Sequence, residues 1–396
     1  MRIAFVTSEY ITEQNFDGGL ANYLYRIVVS LKERGHQPVV FVASREDGSF
    51  EHAGAHVIRV RVNLKPLWFV YRSPWHKFSQ PCKWLCESWS LRQALRREHI
   101  KKSFDIVQYA SYRAPGFFRQ QDIPTIVRIS SLQSLWRQFN KQQSDAVSRF
   151  ENFLELSAFR KADSLYGPSH VIASKVQSLV GKNVSVIESP VVSIGLQVGQ
   201  SPIPGSLQAK RYLLFFGSIN VLKGMLTIAE TLVPLLSRYP DLIFVFAGKI
   251  DNFQGDAFDD YLRNAAGRHQ EQLLFLGRLP HQELMPVVRN ATGVVLPSRI
   301  DNLPNTCIEA MACGKVVIGT RGASFEQLIV DGENGFLVDI DSSGQLLSAM
   351  EKLLNMDEKS RATMGSRAAA TIQRLTPELI CEQLEEFYRN CLRSCQ

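Results

Sequence analysis

Between positions 301 and 309 the chain crowds groups suited to holding a charged ligand. Residues 300–320 read IDNLPNTCIEAMACGKVVIGT. Asp301, Asn302, Leu303, Pro304, Asn305 and Thr306 precede a helix-like run with Glu309 on its first turn, and a strand-like KVVIGT follows. The first N–H groups of a helix lack partners within it, and its aligned peptide dipoles leave about half a positive charge there. Turn residues that expose such an end make a seat for phosphate. The same residues also allow a plainer reading. Thr306-x-x-Glu309 has capping-box spacing, in which the two side chains satisfy the helix's own N–H groups. Asp301 and Asn305 are ordinary turn formers. A cation, Lys223, stands in a second loop, GSINVLKG (217–224), close to a helix start.

The elements that must position these groups follow one rhythm. Residues 1–7 form a short apolar strand. Leu20, Leu24, Ile27, Val28 and Leu31 recur at helical spacing, Gly35 stops that helix, and QPVVFVAS is the next strand. Strands recur at DIVQYAS, PTIVRIS, SLYGPS and VSVIES, and then at RYLLFFGS, LIFVFAGK, QLLFLGR, ATGVVLPS and KVVIGT. Strands alternating with helices predict parallel sheets covered on both faces, in two doubly wound α/β domains. Residues 192–210 are polar, Gly/Pro-containing and aperiodic, and read as the linker. Near the end Thr376 reads as an N-cap and Pro377 as the first residue of a last helix. In such sheets ligands bind beyond the carboxyl ends of the strands, which singles out FDGG (16–19), GSINVLKG, AGKID (247–251) and SRIDNLPN (298–305).

Composition bounds the rest. A chain of 396 residues, 45% hydrophobic and 21% charged, is an ordinary globular sequence long enough for two domains. It contains no apolar run of about 18 residues, the length that would suggest a transmembrane helix. MRIAFVTSEY reads as a buried strand rather than a signal segment, so a cytoplasmic location is expected. The seven cysteines lack any CxxC pair and are expected as free thiols. The formal charge of +7 is uneven. Residues 64–102 carry nine basic and two acidic side chains, together with Trp68, Trp75, Trp84 and Trp89. That stretch suits an anionic membrane or a phosphorylated lipid acceptor. Equally, it suits a solvated helix over 88–102 behind an aromatic cluster packed in the core. Nucleic acid is disfavoured, since none of its recognition signatures is visible.

Residues 301–338, DNLPNTCIEAMACGKVVIGTRGASFEQLIVDGENGFLV, closely resemble the donor-site segment of retaining glycosyltransferases of family 4, which have the GT-B fold. That family's motif is two glutamates with seven residues between them. Here the spacing is kept by Asp301 and Glu309. The resemblance extends to FFGSINVLKG (215–224), FLGRLPHQELMPVVRNATGVVLPS (275–298) and GGLANYLYRIVVSLKERGHQPVVFV (18–42), while residues 45–160 match nothing in it.

The resemblance implies two Rossmann-like domains facing a central cleft, with the C-terminal helix returning to the first. The acceptor domain would be 1–195 plus 377–396, and the nucleotide-sugar domain 205–375. Glu309 would hold the ribose hydroxyls and Asp301 the sugar hydroxyls. The backbone around Asn302, Leu303, Pro304 and Asn305 would cradle sugar and distal phosphate, at a helix opened by Thr306. Lys223 would neutralise the diphosphate. Gly18 and Gly19 would let the first domain's loop approach the donor, Gly217, Ser218 and Gly248 would line its site, and Arg278 would bracket the base. No metal or other cofactor is required. The donor expected first is UDP-glucose, with GDP- or ADP-sugars as alternatives. The acceptor would be a saccharide or lipid-linked oligosaccharide of envelope or exopolysaccharide synthesis.

Two positions depart from the family. Ser218 stands where an arginine is usual, with Arg128 or Arg321 as compensating cations, and Ser130 stands where a histidine is common. His36 reads as structural and His170 as a helix-start residue. Two other classes compete: an inactive GT-B scaffold, and another enzyme on Rossmann-like domains such as a nucleotide-sugar epimerase. The lack of G-x-G-x-x-G after a strand argues against NAD.

Overall fold

The computed structural model describes residues 1–13, 19–130, 132–139, 143–191 and 203–395. The chain divides into two compact units, Met1–Pro190 with Pro377–Gln396, and Val191–Thr376.

The first unit opens with β1 (Arg2–Thr7), α1 (Gly19–Glu33), β2 (Gln37–Ser44), β3 (Gly48–His52) and β4 (Ala55–Arg61). It continues through α2 (Leu67–Tyr71), α3 (Ser79–Lys101), β5 (Ile106–Ala110), β6 (Thr125–Arg128), α4 (Gln133–Phe139) and α5 (Ala146–Lys161). It ends with β7 (Ser164–Gly167), α6 (His170–Val180) and β8 (Ser185–Val186). Its sheet has the order β3-β4-β2-β1-β5-β6-β7-β8. The strands β1, β5 and β6 are almost wholly buried, as continuous apolar runs require when helices cover both faces. Helix α1 buries Leu20, Leu24, Ile27, Val28 and Leu31, the predicted stripe, and Gly35 beyond it has φ 82°.

The second unit runs β9 (Arg211–Phe216), α7 (Met225–Arg238), β10 (Leu242–Ala247), β11 (Asn252–Phe253), β12 (Asp256–Ala257), α8 (Phe258–Ala266) and β13 (Leu273–Gly277). Then come α9 (His281–Asn290), β14 (Gly293–Leu296), α10 (Asn305–Ala312), β15 (Val317–Thr320), β16 (Phe336–Val338), α11 (Ser343–Asn355) and α12 (Glu358–Ile372). Its sheet is wholly parallel, ordered β13-β10-β9-β14-β15-β16. By position in the unit this is 3-2-1-4-5-6, the Rossmann order, and the order reverses between β9 and β14.

The last helix, α13 (Pro377–Ser394), begins at its proline and belongs to the first unit. It buries Ile380, Cys381, Leu384 and Tyr388. Its Glu385 accepts from Arg34 Nε at 2.6 Å and lies 3.1 Å from His36 Nε2. His36 Nδ1 lies 3.1 Å from the terminal ammonium of Met1, so this histidine is structural. Tyr388 donates to Gln108 Oε1 at 2.6 Å.

Several expectations change. The first sheet is not purely parallel: β3 pairs antiparallel with β4 as a hairpin at its edge. The basic helix expected over 88–102 begins one pair of turns earlier, at Ser79. The aromatic cluster is not core: Trp84 is buried, but Trp68, Trp75 and Trp89 are exposed. The linker expectation falls mostly on 192–202, outside the described residues, and a 3-10 turn at Gly205–Leu207 follows. All seven cysteines are free thiols. Among the described residues no helix is long and apolar enough to cross a membrane.

Helix α5 carries a fully buried carboxyl. Glu155 accepts from the Gln133 backbone N–H at 3.2 Å, and burial pushes its pKa up to about 8. A carboxyl whose pKa is higher in the folded chain contributes stability that is complete at acid pH. That contribution is lost as pH rises from the ordinary carboxylate range through about 8. Glu155→Gln keeps an acceptor for Gln133 and removes the charge. Thermal melts should show a flatter stability profile between about pH 5 and 8 and a higher midpoint than the parent above that range. A variant midpoint below the parent's at alkaline pH would contradict this.

Candidate active site

The second sheet opens where its strand order reverses. Strands β9 and β10 pair through six registered positions, but β9 and β14 pair only at Gly293↔Leu213 and Val294↔Leu214. Beyond those two pairs the carboxyl halves of β9 and β14 run free of each other, which is where an open α/β sheet accepts a ligand.

Two loops emerge there and are held together by backbone. The Arg299 N–H donates to the Leu222 carbonyl at 2.8 Å. A Cβ on Gly224 would lie 1.9 Å from the Pro297 carbonyl oxygen, so only glycine fits, and its φ of 79° demands the same. Asn220 N-caps the short turn Val221–Lys223, accepting from the Lys223 N–H at 3.1 Å. The Asn220 amide donates in turn to Asp251 Oδ2 at 3.0 Å. This frame delivers Lys223 to Asp301, and their side chains form a short, half-buried ion pair. Ser324 Oγ donates to the Asp301 carbonyl at 3.0 Å and fixes the carboxylate's backbone.

A tier of glycines flanks the pair at the ends of β9, β10 and β13. The Gly217 N–H donates to the Ala247 carbonyl at 2.9 Å, and the Gly248 N–H to the Gly277 carbonyl at 2.7 Å. Their φ values are 132°, 150° and 65° for Gly217, Gly248 and Gly277. A Cβ on Gly248 would lie 1.8 Å from the Gly217 carbonyl oxygen. The strand ends therefore present bare backbone.

Helix α10 starts over this tier. A Cβ on Gly217 would meet the Thr306 methyl at 3.7 Å. The capping-box expectation is corrected here: the helix begins at Asn305, its N-cap is Pro304, and no side chain caps it. Proline offers no side-chain acceptor, and Thr306 lies inside the helix rather than at its N-cap. Glu309 is likewise not on the first turn; it is the fifth residue of α10, one turn beyond Asn305 and on the same face. Leu303 and Pro304 are buried while Asn302, Asn305, Thr306 and Glu309 are half-buried at the rim. Behind them Cys307 is buried, and burial with the Asp301 charge pushes its thiol pKa well up, which leaves it inert as a nucleophile.

The remaining sequence-chosen residues divide. Gly217, Ser218, Lys223, Gly248 and residues 301–309 share the carboxyl ends of β9, β10 and β14. Arg278 follows Gly277 at the end of β13 and is exposed. Gly19 is the first residue of α1 in the first unit, and Gly18 lies outside the described residues. Arg128 is buried in the first unit, its guanidinium 3.4 Å from the Tyr23 ring centroid and donating to Ser189 Oγ at 3.1 Å. Arg321 pairs with Asp331 at 2.6 Å and Asp339 at 3.5 Å. The Ser130 backbone N–H donates to Ser111 Oγ at 2.9 Å, and His170 opens α6. Sequence reading missed Asn220, Gly277 and Ser324. Asn220 was findable as an Asx residue three before a lysine and ahead of a helix. Ser324, at φ 66°, gave no local signal.

With this geometry in place, two family models match the chain: Glycosyltransferase Family 4 over residues 17–192 and Glycosyl transferases group 1 over residues 210–356. The protein belongs to that glycosyltransferase family, and its fold is GT-B. It is 27% identical over 180 residues to the phosphatidyl-myo-inositol mannosyltransferase of Mycolicibacterium smegmatis, covering 45% of each chain. The chain spans about half the length of the curated relatives it matches. Among solved structures it resembles the sucrose-phosphate synthase of Thermosynechococcus elongatus, with TM-score 0.74, 18% identity and 100% of both chains covered. It also resembles Anabaena Alr3699/HepE in complex with UDP and glucose, with TM-score 0.67, 17% identity and 98% and 99% covered.

The glycine tier makes a graded prediction. Gly248→Ala meets both a forbidden φ and a carbonyl, and should destabilise by about 3 kcal/mol or more. Gly277→Ala, whose added methyl meets nothing within 4 Å, should lose only about 1–2 kcal/mol from its left-handed backbone. Urea unfolding midpoints of the two variants check the order.

Proposed function

We propose that this protein is a retaining, metal-independent glycosyltransferase that moves a hexose from a nucleotide sugar, UDP-glucose first, to a saccharide or lipid-linked oligosaccharide. The observation that carries the reading is the Lys223–Asp301 pair set before the uncapped start of α10, at the point where the strand order reverses. The second unit is then the nucleotide-sugar domain and the first the acceptor domain. The protein acts in the cytoplasm at the inner face of an anionic membrane, in envelope or exopolysaccharide synthesis.

In this reading the donor diphosphate lies over the start of α10 and Lys223 turns to it. The bare backbone at Gly217 and Gly248 lets it come close, while Ser218 offers a hydroxyl where relatives carry a cation. Asp301 binds sugar hydroxyls, Glu309 the ribose, and Arg278 the base. The bond between the sugar carbon and the phosphate oxygen breaks with its electron pair going to the diphosphate. The acceptor hydroxyl attacks the same face, and its proton passes to the departing phosphate oxygen. Helix dipole and lysine are aimed at the charge as it develops, the arrangement that commonly carries most of such a rate enhancement. Support for a uridine donor comes from HepE, whose structure holds UDP and glucose.

Thermal melting with saturating UDP, GDP and ADP, then their glucose and mannose forms, tests the donor. A ligand at about 100 times its dissociation constant adds about 2.7 kcal/mol, which raises the midpoint by a few degrees. UDP alone should give the shift. Lys223→Ala should lower kcat by about 10²–10³-fold, and Asp301→Ala and Glu309→Ala should also abolish most turnover while circular dichroism stays unchanged. Ser218 favours a second reading, an inactive scaffold, and that reading wins if no nucleotide shifts the melt.

A further inference from the structure

The first unit carries an aromatic surface that the donor site does not use. Trp68, Phe69, Trp75 and Trp89 are 51%, 72%, 64% and 47% exposed, whereas Trp84 is 4% exposed. The rings are not scattered. From Trp75 the centroids step to Phe78 (5.8 Å), Phe150 (6.2 Å) and Phe153 (6.4 Å). From Phe153 they step to Phe117 (6.4 Å), Phe118 (4.9 Å) and Trp89 (5.5 Å). The ladder thus joins the segment before α3, the outer face of α5 and the loop after β5. Phe153 is itself 54% exposed. Single exposed rings need no explanation, but a contiguous set marks an interaction surface.

Cations sit on the rings. Arg72 lies 4.5 Å from the Trp68 centroid, Arg92 5.3 Å from Trp89, Lys161 4.1 Å from Phe117 and Lys77 5.9 Å from Phe78. On Trp68, Phe78, Trp89 and Phe117 a cation thus occupies a face that a nucleic-acid base would need for stacking. Exposed aromatic bodies with cations beside them suit the headgroup depth of a bilayer, where the cations reach lipid phosphates.

The fold also divides the basic run. Helix α3 has 23 residues, a length of about 34 Å, so Lys101 and Lys102 lie about 18 Å or more beyond Trp89 along its axis. Lys102 Nζ donates to Gln37 Oε1 at 2.9 Å, beside the amino end of β2. The aromatic ladder keeps only the cations up to Arg92, and gains Lys161.

We infer that this ladder, running from Trp75 through Phe153 to Trp89 and flanked by Lys161 and by the separate Trp68–Phe69 pair on α2, which packs against α3, is the surface that docks on an anionic lipid bilayer. The inference rests on the membrane part of the proposed function and not on the donor chemistry. It replaces the basic stretch 64–102 by a two-helix surface whose distal basic cluster takes no part.

The test is flotation of the full chain with vesicles of phosphatidylcholine alone and of phosphatidylcholine with one-third phosphatidylglycerol. The chain should float only with the anionic vesicles, with a blue shift of tryptophan emission, and should be released by added salt. Trp68→Ala/Phe69→Ala/Trp75→Ala should weaken binding by about tenfold or more, and Arg72→Glu/Lys77→Glu likewise, since about 1 kcal/mol attends each cation near an anionic surface. Lys101→Glu/Lys102→Glu should leave binding within about twofold, because those side chains lie beyond a Debye length from the last ring of the ladder. The UDP-induced melting shift is measured on every variant, so loss of vesicle binding with an intact shift separates this surface from the donor site and from misfolding. No flotation with anionic vesicles overturns the proposal. So does undiminished binding by both ladder variants, loss of binding in the Lys101/Lys102 variant, or capture by polyuridylate in place of lipid.

Discussion

Everything chemical in the second unit depends on how closely backbone approaches backbone at the carboxyl ends of its strands. The Cα of Gly248 faces the Gly217 carbonyl, and that of Gly224 faces the Pro297 carbonyl, at distances no Cβ could occupy. The β9–β14 ladder stops after two pairs, yet the loops that follow are tied again by the Arg299–Leu222 hydrogen bond. A crevice bounded on one side by sheet and on the other by this tie is rigid by construction. Lys223 and Asp301 are therefore carried by short, pinned segments rather than by free loops, and their backbone positions are set before any ligand arrives.

The electrostatics follow from that rigidity. The ion pair leaves neither charge uncompensated in a half-buried place. Proline at the N-cap withholds the side-chain acceptor that would otherwise quench the start of α10. The local field is thus arranged for a negative group: a cation and a helix terminus converge beside backbone without side chains, while the Asp301 carboxylate is already committed to the cation. On the proposed reading a diphosphate would take over Lys223, and Asp301 would then turn to hydroxyls, so one arrival sets both residues to their tasks.

The strands were legible because a parallel sheet buried on both faces leaves little choice but continuous apolar runs, as in RIAFVT, RYLLFF and LIFVFA. The placing of Gly217, Gly248 and Lys223 in loops at strand ends was legible because the loops that matter in such a sheet follow the strand ends. Other features hid for physical reasons. The hairpin β3–β4 hangs on an edge, where GSFEH has no alternation to reveal it. The capping-box spacing of Thr306 and Glu309 is local, but Leu303 and Pro304 pack inward and start the helix two residues earlier, so tertiary burial overrode the local signal. Tryptophans suggested core by type alone. Whether each turns in, as Trp84 does, or out, as Trp89 does, was decided by which side of α3 meets α5.

The first unit shares the reversal of strand order, here between β1 and β5, but solves it differently. Two consecutive non-glycine residues after β5, Arg113 and Ala114, hold left-handed backbone at φ 64° and 51°, each at about 1–2 kcal/mol. Their neighbours are polar and buried: Ser8 Oγ donates to the Tyr112 carbonyl at 3.1 Å, and the nearly enclosed Glu87 lies 3.9 Å from Arg113. Burial pushes the Glu87 carboxyl pKa up. Glycine presents the same backbone whatever surrounds it, so the pattern of glycines in the second unit can recur from one chain to another and be read as a motif. A turn held by particular side chains depends on those side chains, and its pattern changes with every partner it must fit. That difference accounts for a second unit that can be read by eye beside a first unit that cannot. The family model spans residues 17–192, so residues 45–160 belong to the family pattern although they offer no short motif, and the expectation that they match nothing in it is corrected.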